Sequence, residues 1–142
     1  DSCKVLFNGD GSDELFCGYK YFSKCSSPYE LNKENIKLMS NIHYFDVLRS
    51  DRSISTNGIE SRVPFLDKNL IKYCMMIDPH LKMSNNTQEK KILRDSFRGT
   101  NILPDNVLYR DKEAFSDGVS HENRSWHMTI KNYIDTQVSD KE

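Results

Sequence analysis

The sequence has no long apolar run and no excess of charge of either sign. Lysine and arginine number 20 against 21 aspartates and glutamates, which gives a formal net charge of −1. Proteins that bind nucleic acids through phosphate contacts usually carry a basic excess, so we expect no nucleic-acid partner. The sequence also lacks an apolar stretch of membrane-spanning length and a positive-then-apolar leader, so we expect no membrane partner.

The cysteines do not follow a metal-binding or disulfide pattern. Cys3, Cys17, Cys25 and Cys74 include no CxxC pair, and the histidines form no HExxH motif. Scattered thiols of this kind are typical of a cytosolic protein. We therefore favour reduced thiols over a disulfide or a zinc site, and we predict a cytoplasmic location.

The most informative segment is a loop rich in glycine and carboxylates. The apolar run Lys4–Phe7 precedes N-G-D-G-S-D-E at residues 8–14, and an apolar pattern of helical spacing follows. This order predicts a short buried strand, a tight loop, and a helix over Ser12–Phe22 with Ser12 as its N-cap. Backbone amides in such a loop, together with the helix start, can bind a phosphate, and the carboxylates can hold Mg²⁺. The segment therefore suggests nucleotide chemistry.

Helical patterns dominate the rest of the chain. Helices are predicted over Leu31–Met39, Ile42–Ser53, Lys68–Met76, Glu89–Phe97 and Trp126–Val138, with Asp67 as an N-cap, Phe45 and Leu48 facing inward, and an irregular stretch over Arg98–Asp117. The strand has no visible partner, and a lone strand cannot form a sheet. We therefore expect a mostly helical piece of a larger α/β protein, with one short N-terminal strand whose partners lie upstream.

Four segments, in order, resemble the glutamine-dependent asparagine synthetases. N-G-D-G-S-D-E-L-F-C-G-Y at residues 8–19 is similar to the family's S-G-E-G-S-D-E-x-F-G-G-Y, and G-I-E-S-R-V-P-F-L-D at residues 58–67 to its G-x-E-x-R-V-P-F-L-D. K-K-I-L-R at residues 90–94 and R-D-K-E-A-F-S-D-G at residues 110–118 resemble two later segments. The resemblance implies that residues 1–142 form a single partial domain, the later part of the synthetase domain. It implies an α/β fold of the adenine nucleotide α-hydrolase-like, PP-loop ATP pyrophosphatase type.

The resemblance also implies a reaction. In the family, ATP activates the side-chain carboxylate of aspartate as β-aspartyl-AMP, and ammonia from glutamine then displaces AMP to give asparagine. ATP and Mg²⁺ are the implied cofactors. The glutaminase domain and the S-G-G-x-D-S pyrophosphate loop are absent from this sequence, so we expect the rest of a longer synthetase chain as a partner. A homodimer of the full-length protein is a further expectation.

The family's site residues map first onto the glycine-rich loop. The resemblance implies that Asn8 and Gly9 contact the nucleotide and that Asp13 binds Mg²⁺, a hard ion that prefers carboxylate ligands. Asp10 stands where the family has glutamate, a residue that matters for forming or consuming the acyl-adenylate. Asn8 likewise replaces serine. These two departures put full activity in question while leaving the fold expectation unchanged.

Two later segments supply the remaining candidates. Lys112 lies in a segment that in the family reaches back to the phosphates, where an ammonium stabilises charge as pyrophosphate departs. Glu60 is a catalytic candidate, but with Arg62 it could equally form a structural ion pair. Tyr19 is interpreted as a packing residue.

Two other functions remain open from the sequence. The oxygen-rich loop at residues 10–14 has the look of a calcium-binding module, although it lacks the EF-hand spacing. A related amidotransferase or a β-lactam-forming synthetase of the same fold is the other alternative. The match at residues 110–118 favours asparagine synthetase over these relatives, and an S-G-G-x-D-S motif upstream of residue 1 would decide against the calcium-binding module. The isolated chain is expected to be inactive.

Overall fold

The computed structural model describes residues 3–83, 88–113 and 125–138. The chain divides into two compact units, Asp1–Tyr109 and Arg110–Glu142. Within the part of the chain that the structure describes, the first unit contains the glycine-rich loop and two strands, and the second contains Lys112 and one helix. Among the described residues, no helix is long and apolar enough to cross a membrane.

The strand that the sequence predicts has a partner within the chain. Strand β1, Val5–Phe7, pairs in parallel with β2, Glu60–Arg62, so that Phe7 lies opposite Arg62. The prediction of a lone strand was wrong, because the polar triplet of β2 has no apolar alternation that would indicate a strand. The prediction of a buried strand was also wrong. The side chains of β1 are exposed, Phe7 by 76%, because β2 is its only paired neighbour among the described residues.

The helix that follows the loop is much shorter than predicted. Helix α1 comprises Ser12–Leu15, and its N-cap is Gly11, with φ of 86°, instead of Ser12. The chain leaves the helix at Cys17, which adopts a left-handed φ of 53°. A hydrogen bond of 2.8 Å from the Gly18 amide to the Asp13 carbonyl closes the turn. A 3-10 helix over Lys20–Lys24 replaces the predicted second half of the helix.

The next two helices form where predicted but with different bounds. Helix α2, Pro28–Asn41, begins earlier than predicted because the Ser27 hydroxyl accepts a 3.2 Å hydrogen bond from the Glu30 amide as an N-cap. Helix α3, Asp46–Ser55, begins later, after a 3-10 turn. The delay follows from Phe45, whose non-helical backbone separates the two elements. Phe45 and Leu48 were predicted to face inward, but both are exposed in the structure.

The remaining helices of the described residues follow α3 in sequence. Helix α4, Lys68–Met75, matches its prediction, and the Asp67 carboxylate caps it by accepting from the amides of Asn69 and Leu70 at 2.9 and 3.0 Å. The others are α5, Pro79–Lys82; α6, Lys91–Phe97; α7, Asp105–Leu108; and α8, Trp126–Gln137. Helix α7 lies inside the stretch that was predicted to be irregular. Its first residue follows Pro104, which fixes a backbone angle suited to a helix start.

The buried core lies directly beneath the loop. One cluster contains Leu15 and Phe16 of the loop's helical turn together with Cys74 of α4. A second cluster contains Cys17 and Phe22 with Leu31 of α2. The short helix α1 is therefore held by packing against its neighbours, since a single helical turn has little stability of its own.

Candidate functional site

The loop begins at the carboxyl end of β1, where open α/β sheets place their ligands. The Asn8 amide donates to the Arg62 carbonyl at 2.8 Å and so extends the pairing with β2 by one residue. The Asn8 side chain then turns to Asp10. Its Nδ2 donates to Asp10 Oδ2 at 2.7 Å, and the Asp10 amide donates to Asn8 Oδ1 at 3.1 Å. Two predicted site residues, Asn8 and Asp10, are thus joined by a reciprocal pair of hydrogen bonds.

The glycines of the loop have different roles. A Cβ atom at Gly9 would meet nothing within 4 Å, so the backbone there is open to a ligand. Gly11 has a left-handed φ of 86°, and a Cβ atom at that position would collide with Leu66. The space at Gly9 is compatible with ligand contact, which stays a prediction, whereas Gly11 is required by the turn itself.

Asp13 is paired with a lysine that the sequence reasoning did not single out. Lys90 Nζ lies 3.2 Å from Asp13 Oδ1 and 3.3 Å from Ser12 Oγ. The two charged side chains are only 21% and 25% exposed, so solvent screens this ion pair less than a surface pair. Lys90 begins the K-K-I-L-R segment, and that match was the one signal in the sequence that could have drawn attention to it.

The carboxylates of the loop suit a metal that is shared with a ligand. No group of three or more histidine, cysteine, aspartate or glutamate side chains among the described residues is arranged to hold a metal ion. Calcium requires six or more oxygen ligands, and this requirement weighs against the calcium-binding alternative. Mg²⁺ commonly binds one or two carboxylates together with nucleotide phosphates. A Mg²⁺ role of that kind for Asp13 stays a prediction.

A second polar cluster lies beside the loop. The Tyr19 hydroxyl donates to Glu14 Oε1 and lies 3.3 Å from Asp46 Oδ2, while Arg49 forms an ion pair with Asp46. These four side chains line an open cavity of about 450 Å³. Tyr19 was interpreted as a packing residue, and it does stack on Phe22. Its hydroxyl also joins two carboxylates, a role that its position in the sequence did not indicate.

Burial determines the ionisation of this cluster. Burial raises the pKa of Glu14, and the hydrogen bond from Tyr19 partly offsets that rise. Burial also raises the pKa of Tyr19, and the neighbouring Glu14 carboxylate raises it further. The hydroxyl therefore stays protonated and remains a donor to the carboxylates. The cavity combines a neutral donor with acidic groups and one guanidinium.

Glu60 and Arg62 lie next to the loop on β2. Glu60 Oε1 and Arg62 Nη2 are 2.8 Å apart, and both side chains are mostly exposed. The hypothesis of a Glu60–Arg62 ion pair is confirmed. The direct catalytic role of Glu60 stays a prediction.

Lys112 belongs to the second unit. Its side chain is half-buried there, and Arg110 in the same segment pairs with Glu113 at 3.2 Å. Its approach to the phosphates stays a prediction. Residues 114–118 of the same predicted segment lie outside the described residues.

Comparisons with known proteins give a consistent result. The family model described as "Asparagine synthase" matches residues 26–142. The chain is similar to the glutamine-hydrolyzing asparagine synthetases of Gallus gallus, with 46% identity over 136 residues, and of Homo sapiens, with 42% identity over 136 residues. Each match covers 96% of this chain and 24% of the relative. The chain thus spans about a quarter of the length of the curated relatives it matches.

Proposed function

Because the chain belongs to the asparagine synthase family, we propose that it forms part of an enzyme that converts aspartate, ATP and glutamine into asparagine. The observation that carries the proposal is the carboxylate-bearing loop at the end of β1, with the polar cavity beside it. The loop has the features expected of an ATP-binding site, and the cavity has charges that complement those of aspartate. The aspartate carboxylate is activated as β-aspartyl-AMP, and ammonia then displaces AMP.

At the nucleotide end, the open backbone at Gly9 and the Asn8 amide group would contact ATP. Asp13 would hold Mg²⁺, and the ion, when bound, supplies positive charge to the phosphates. Lys90, which contacts Asp13 and Ser12, adds a second positive charge at the same place. Asp10 would act beside the acyl-adenylate, held in its orientation by Asn8.

At the amino-acid end, the cavity offers complementary charges for a free amino acid. The carboxylates of Glu14 and Asp46 can accept from the ammonium group of aspartate, and Arg49 can donate to a carboxylate. Tyr19 holds both acidic side chains in one place. Glu14 follows Asp13 in the same helical turn, which supports a proposed site whose two ends are adjacent.

The rest of the proposed enzyme supplies what this chain lacks. A glutaminase domain would release ammonia, and a pyrophosphate loop of the S-G-G-x-D-S type would complete a PP-loop ATP pyrophosphatase fold. Lys112 would stabilise the departing pyrophosphate. We propose a cytoplasmic enzyme, with a homodimer as its assembly.

The test uses the full-length protein that contains this chain. With aspartate, ATP, Mg²⁺ and glutamine, it should form asparagine, AMP and pyrophosphate in equal amounts. Aspartate-dependent pyrophosphate release without glutamine or ammonia would isolate the first step. If no asparagine and no AMP are formed, the proposal is wrong. AMP formation with another carboxylic acid in place of aspartate would favour a related synthetase instead.

A further inference from the structure

A buried lysine is connected to the loop's helical turn through one asparagine. Lys82, the last residue of α5, is only 6% exposed. Its Nζ donates to Asn35 Oδ1 of α2 at 3.1 Å. Asn35 is fully buried, and its Nδ2 donates to the main-chain carbonyl of Glu14 in α1. One chain of hydrogen bonds therefore joins α5, α2 and α1.

The position of Lys82 is costly for the folded protein. Burial lowers the pKa of Lys82, and the ionisable groups that act on its charge are the thiols of Cys17 and Cys74. No carboxylate among the described residues forms an ion pair with it. An apolar side chain of similar length would avoid this desolvation. Stability alone therefore gives no reason for a lysine here.

The chemistry of lysine does give a reason. An ammonium group can only donate hydrogen bonds, so the Asn35 oxygen must face Lys82. The Asn35 NH₂ group is then directed to the other side, where it meets the Glu14 carbonyl. The Glu14 carbonyl can only accept, so it favours the same orientation from the other side. Lys82 thus reinforces the orientation in which Asn35 binds α1, and it anchors the Asn35 side chain in place.

The Glu14 carbonyl needs this partner. Helix α1 ends at Leu15, and the last carbonyls of a helix have no partner within the helix. The same turn carries the Asp13 carboxylate, which contacts Lys90, and the Glu14 carboxylate, which contacts Tyr19. A displacement of the Glu14 peptide group would therefore move both carboxylates of the proposed site.

We propose that Lys82 and Asn35 are positioning residues, which hold the Glu14 carbonyl and thereby fix the Asp13 and Glu14 carboxylates for catalysis. The inference rests on the proposed function, since it assigns these carboxylates to the asparagine-forming site. Neither residue touches the cavity beside Tyr19. Their effect is transmitted through the main chain of α1.

The test compares variants of the full-length enzyme by kcat per folded active site. The Asn35→Asp variant keeps the side-chain volume and an acceptor for Lys82, but it loses the donor to the Glu14 carbonyl. The Lys82→Met variant keeps the apolar stem and loses the donor to Asn35. Each should lower kcat by about tenfold or more, because misplacement of about 1 Å can cost on the order of 100-fold in rate. Lys82→Arg, which still donates, should retain most of kcat.

Two controls separate positioning from folding. Leu31→Val, in the core beside Asn35, should lower the unfolding midpoint and leave kcat per folded site unchanged. The double variant Lys82→Met, Asn35→Asp should be no slower than the slower single variant, since both act through one contact. If Lys82→Met does not fold, Asn35→Asp still carries the test, because it preserves the packing.

The outcomes are distinct. If Asn35→Asp and Lys82→Met lose folded protein but keep wild-type kcat per folded site, the two residues are merely structural and the inference is overturned. If the wild-type enzyme forms no asparagine, the proposed function itself has failed. In that case the same variants are compared by amide hydrogen exchange at residues 13–15, and unchanged protection there would overturn the positioning contact as well.

Discussion

The side chains of Asn8 and Asp10 hold each other across the proposed nucleotide loop. Asn8 donates to Asp10 Oδ2 at 2.7 Å and accepts from the Asp10 amide at 3.1 Å. Both residues depart from the pattern of the family that the chain resembles, and the structure shows that the departures are in direct contact. The shorter carboxylate of Asp10 has a partner because Asn8 has an amide group. The two departures therefore form a contacting pair, and each should be tested in the presence and absence of the other.

The first prediction is a coupled effect of Asn8→Ser and Asp10→Glu in the full-length protein. Asn8→Ser alone should lower kcat several-fold, because Asp10 loses its donor. Asp10→Glu alone should leave kcat equal or higher, since it extends the carboxylate by roughly 1.5 Å. In the double variant the cost of Asn8→Ser should disappear, with a coupling of about 1 kcal/mol in activation free energy.

Steady-state kinetics of the four proteins measure this coupling. Asp105→Glu, on α7 and away from the loop, serves as the matched carboxylate control and should change nothing. Additive effects of the two loop substitutions would show that the contact between Asn8 and Asp10 has no bearing on the reaction. A marked loss with Asp10→Glu alone would show that the site depends on the shorter aspartate side chain.

The loop illustrates how far sequence reasoning reaches. The types and spacing of Asn8, Gly9, Asp10 and Asp13 indicate the chemistry, because local backbone geometry is encoded within a few residues. The end of α1 could not be predicted in the same way. A Cβ at residue 18 would collide with the side chains of Asp13 and Lys90, and Lys90 is far away in sequence. The turn at Gly18 is thus a consequence of tertiary packing, which overrides the helical pattern.

The partners of the site residues were equally inaccessible from local patterns. Strand β2 has the sequence Glu-Ser-Arg, which lacks any apolar periodicity, and its pairing with β1 depends on the fold of the residues between them. In the sequence, Lys90 and Lys82 resemble ordinary surface lysines. In the structure, Lys90 contacts Asp13 in α1, and Lys82 contacts Asn35, which in turn binds α1. Charged residues are rarely buried, so a sequence-based interpretation assigns them to solvent. The three-dimensional arrangement identifies Lys82 as an exception, whereas Lys90 also had the K-K-I-L-R match as a signal in the sequence.

A second prediction concerns Lys90. Lys90→Met in the full-length protein removes the positive charge beside Asp13 and Ser12. We expect the free energy of unfolding to fall by about 1 kcal/mol, because the pair is largely shielded from solvent. We also expect kcat/KM for ATP to fall by about tenfold or more, since a positive charge near the phosphates is lost.

The neighbouring lysine provides the matched control. Lys91 pairs with Asp95 on the exposed surface of α6. Lys91→Met should therefore change stability by less than about 0.5 kcal/mol and leave kcat/KM unchanged. Chemical denaturation and ATP-dependent pyrophosphate release measure both quantities. Equal effects of the two substitutions on kcat/KM would argue against a nucleotide role for Lys90.

A third prediction is a change in the pH dependence of stability in Tyr19→Phe. Burial raises the pKa of Glu14 above its ordinary value of 4.5, so the folded state binds the proton more tightly than the unfolded state. Protonated Glu14 therefore contributes stability at acid pH, and that contribution is lost as the pH rises past the pKa of Glu14 in the folded protein. Without the Tyr19 hydrogen bond, the pKa of Glu14 rises further. Tyr19→Phe should thus cost more stability near about pH 7 than near about pH 4.

Thermal unfolding of the full-length protein at the two pH values tests this sign. Tyr21→Phe is the matched control, because the Tyr21 hydroxyl donates to Glu34 at an exposed 3.4 Å contact and forms no hydrogen bond with Glu14 among the described residues. Its effect should be small and nearly independent of pH. If Tyr19→Phe destabilises the protein more at acid pH than at neutral pH, the assigned coupling between Tyr19 and Glu14 is wrong.

The final prediction concerns the 142-residue chain expressed alone. Val5, Leu6 and Phe7 of β1 are exposed, and only β2 pairs with this strand among the described residues. An exposed apolar strand edge promotes association between copies, so the isolated chain should self-associate. Phe7→Lys should reduce the association, whereas Tyr73→Lys, at an exposed position on α4, should not. Light scattering across a range of concentrations measures the self-association.

Calorimetry with ATP should show weak binding to the isolated chain, and an assay with aspartate and ATP should detect no AMP formation. A monomeric chain that releases pyrophosphate with aspartate would contradict both expectations, since it would show that these residues alone complete the site.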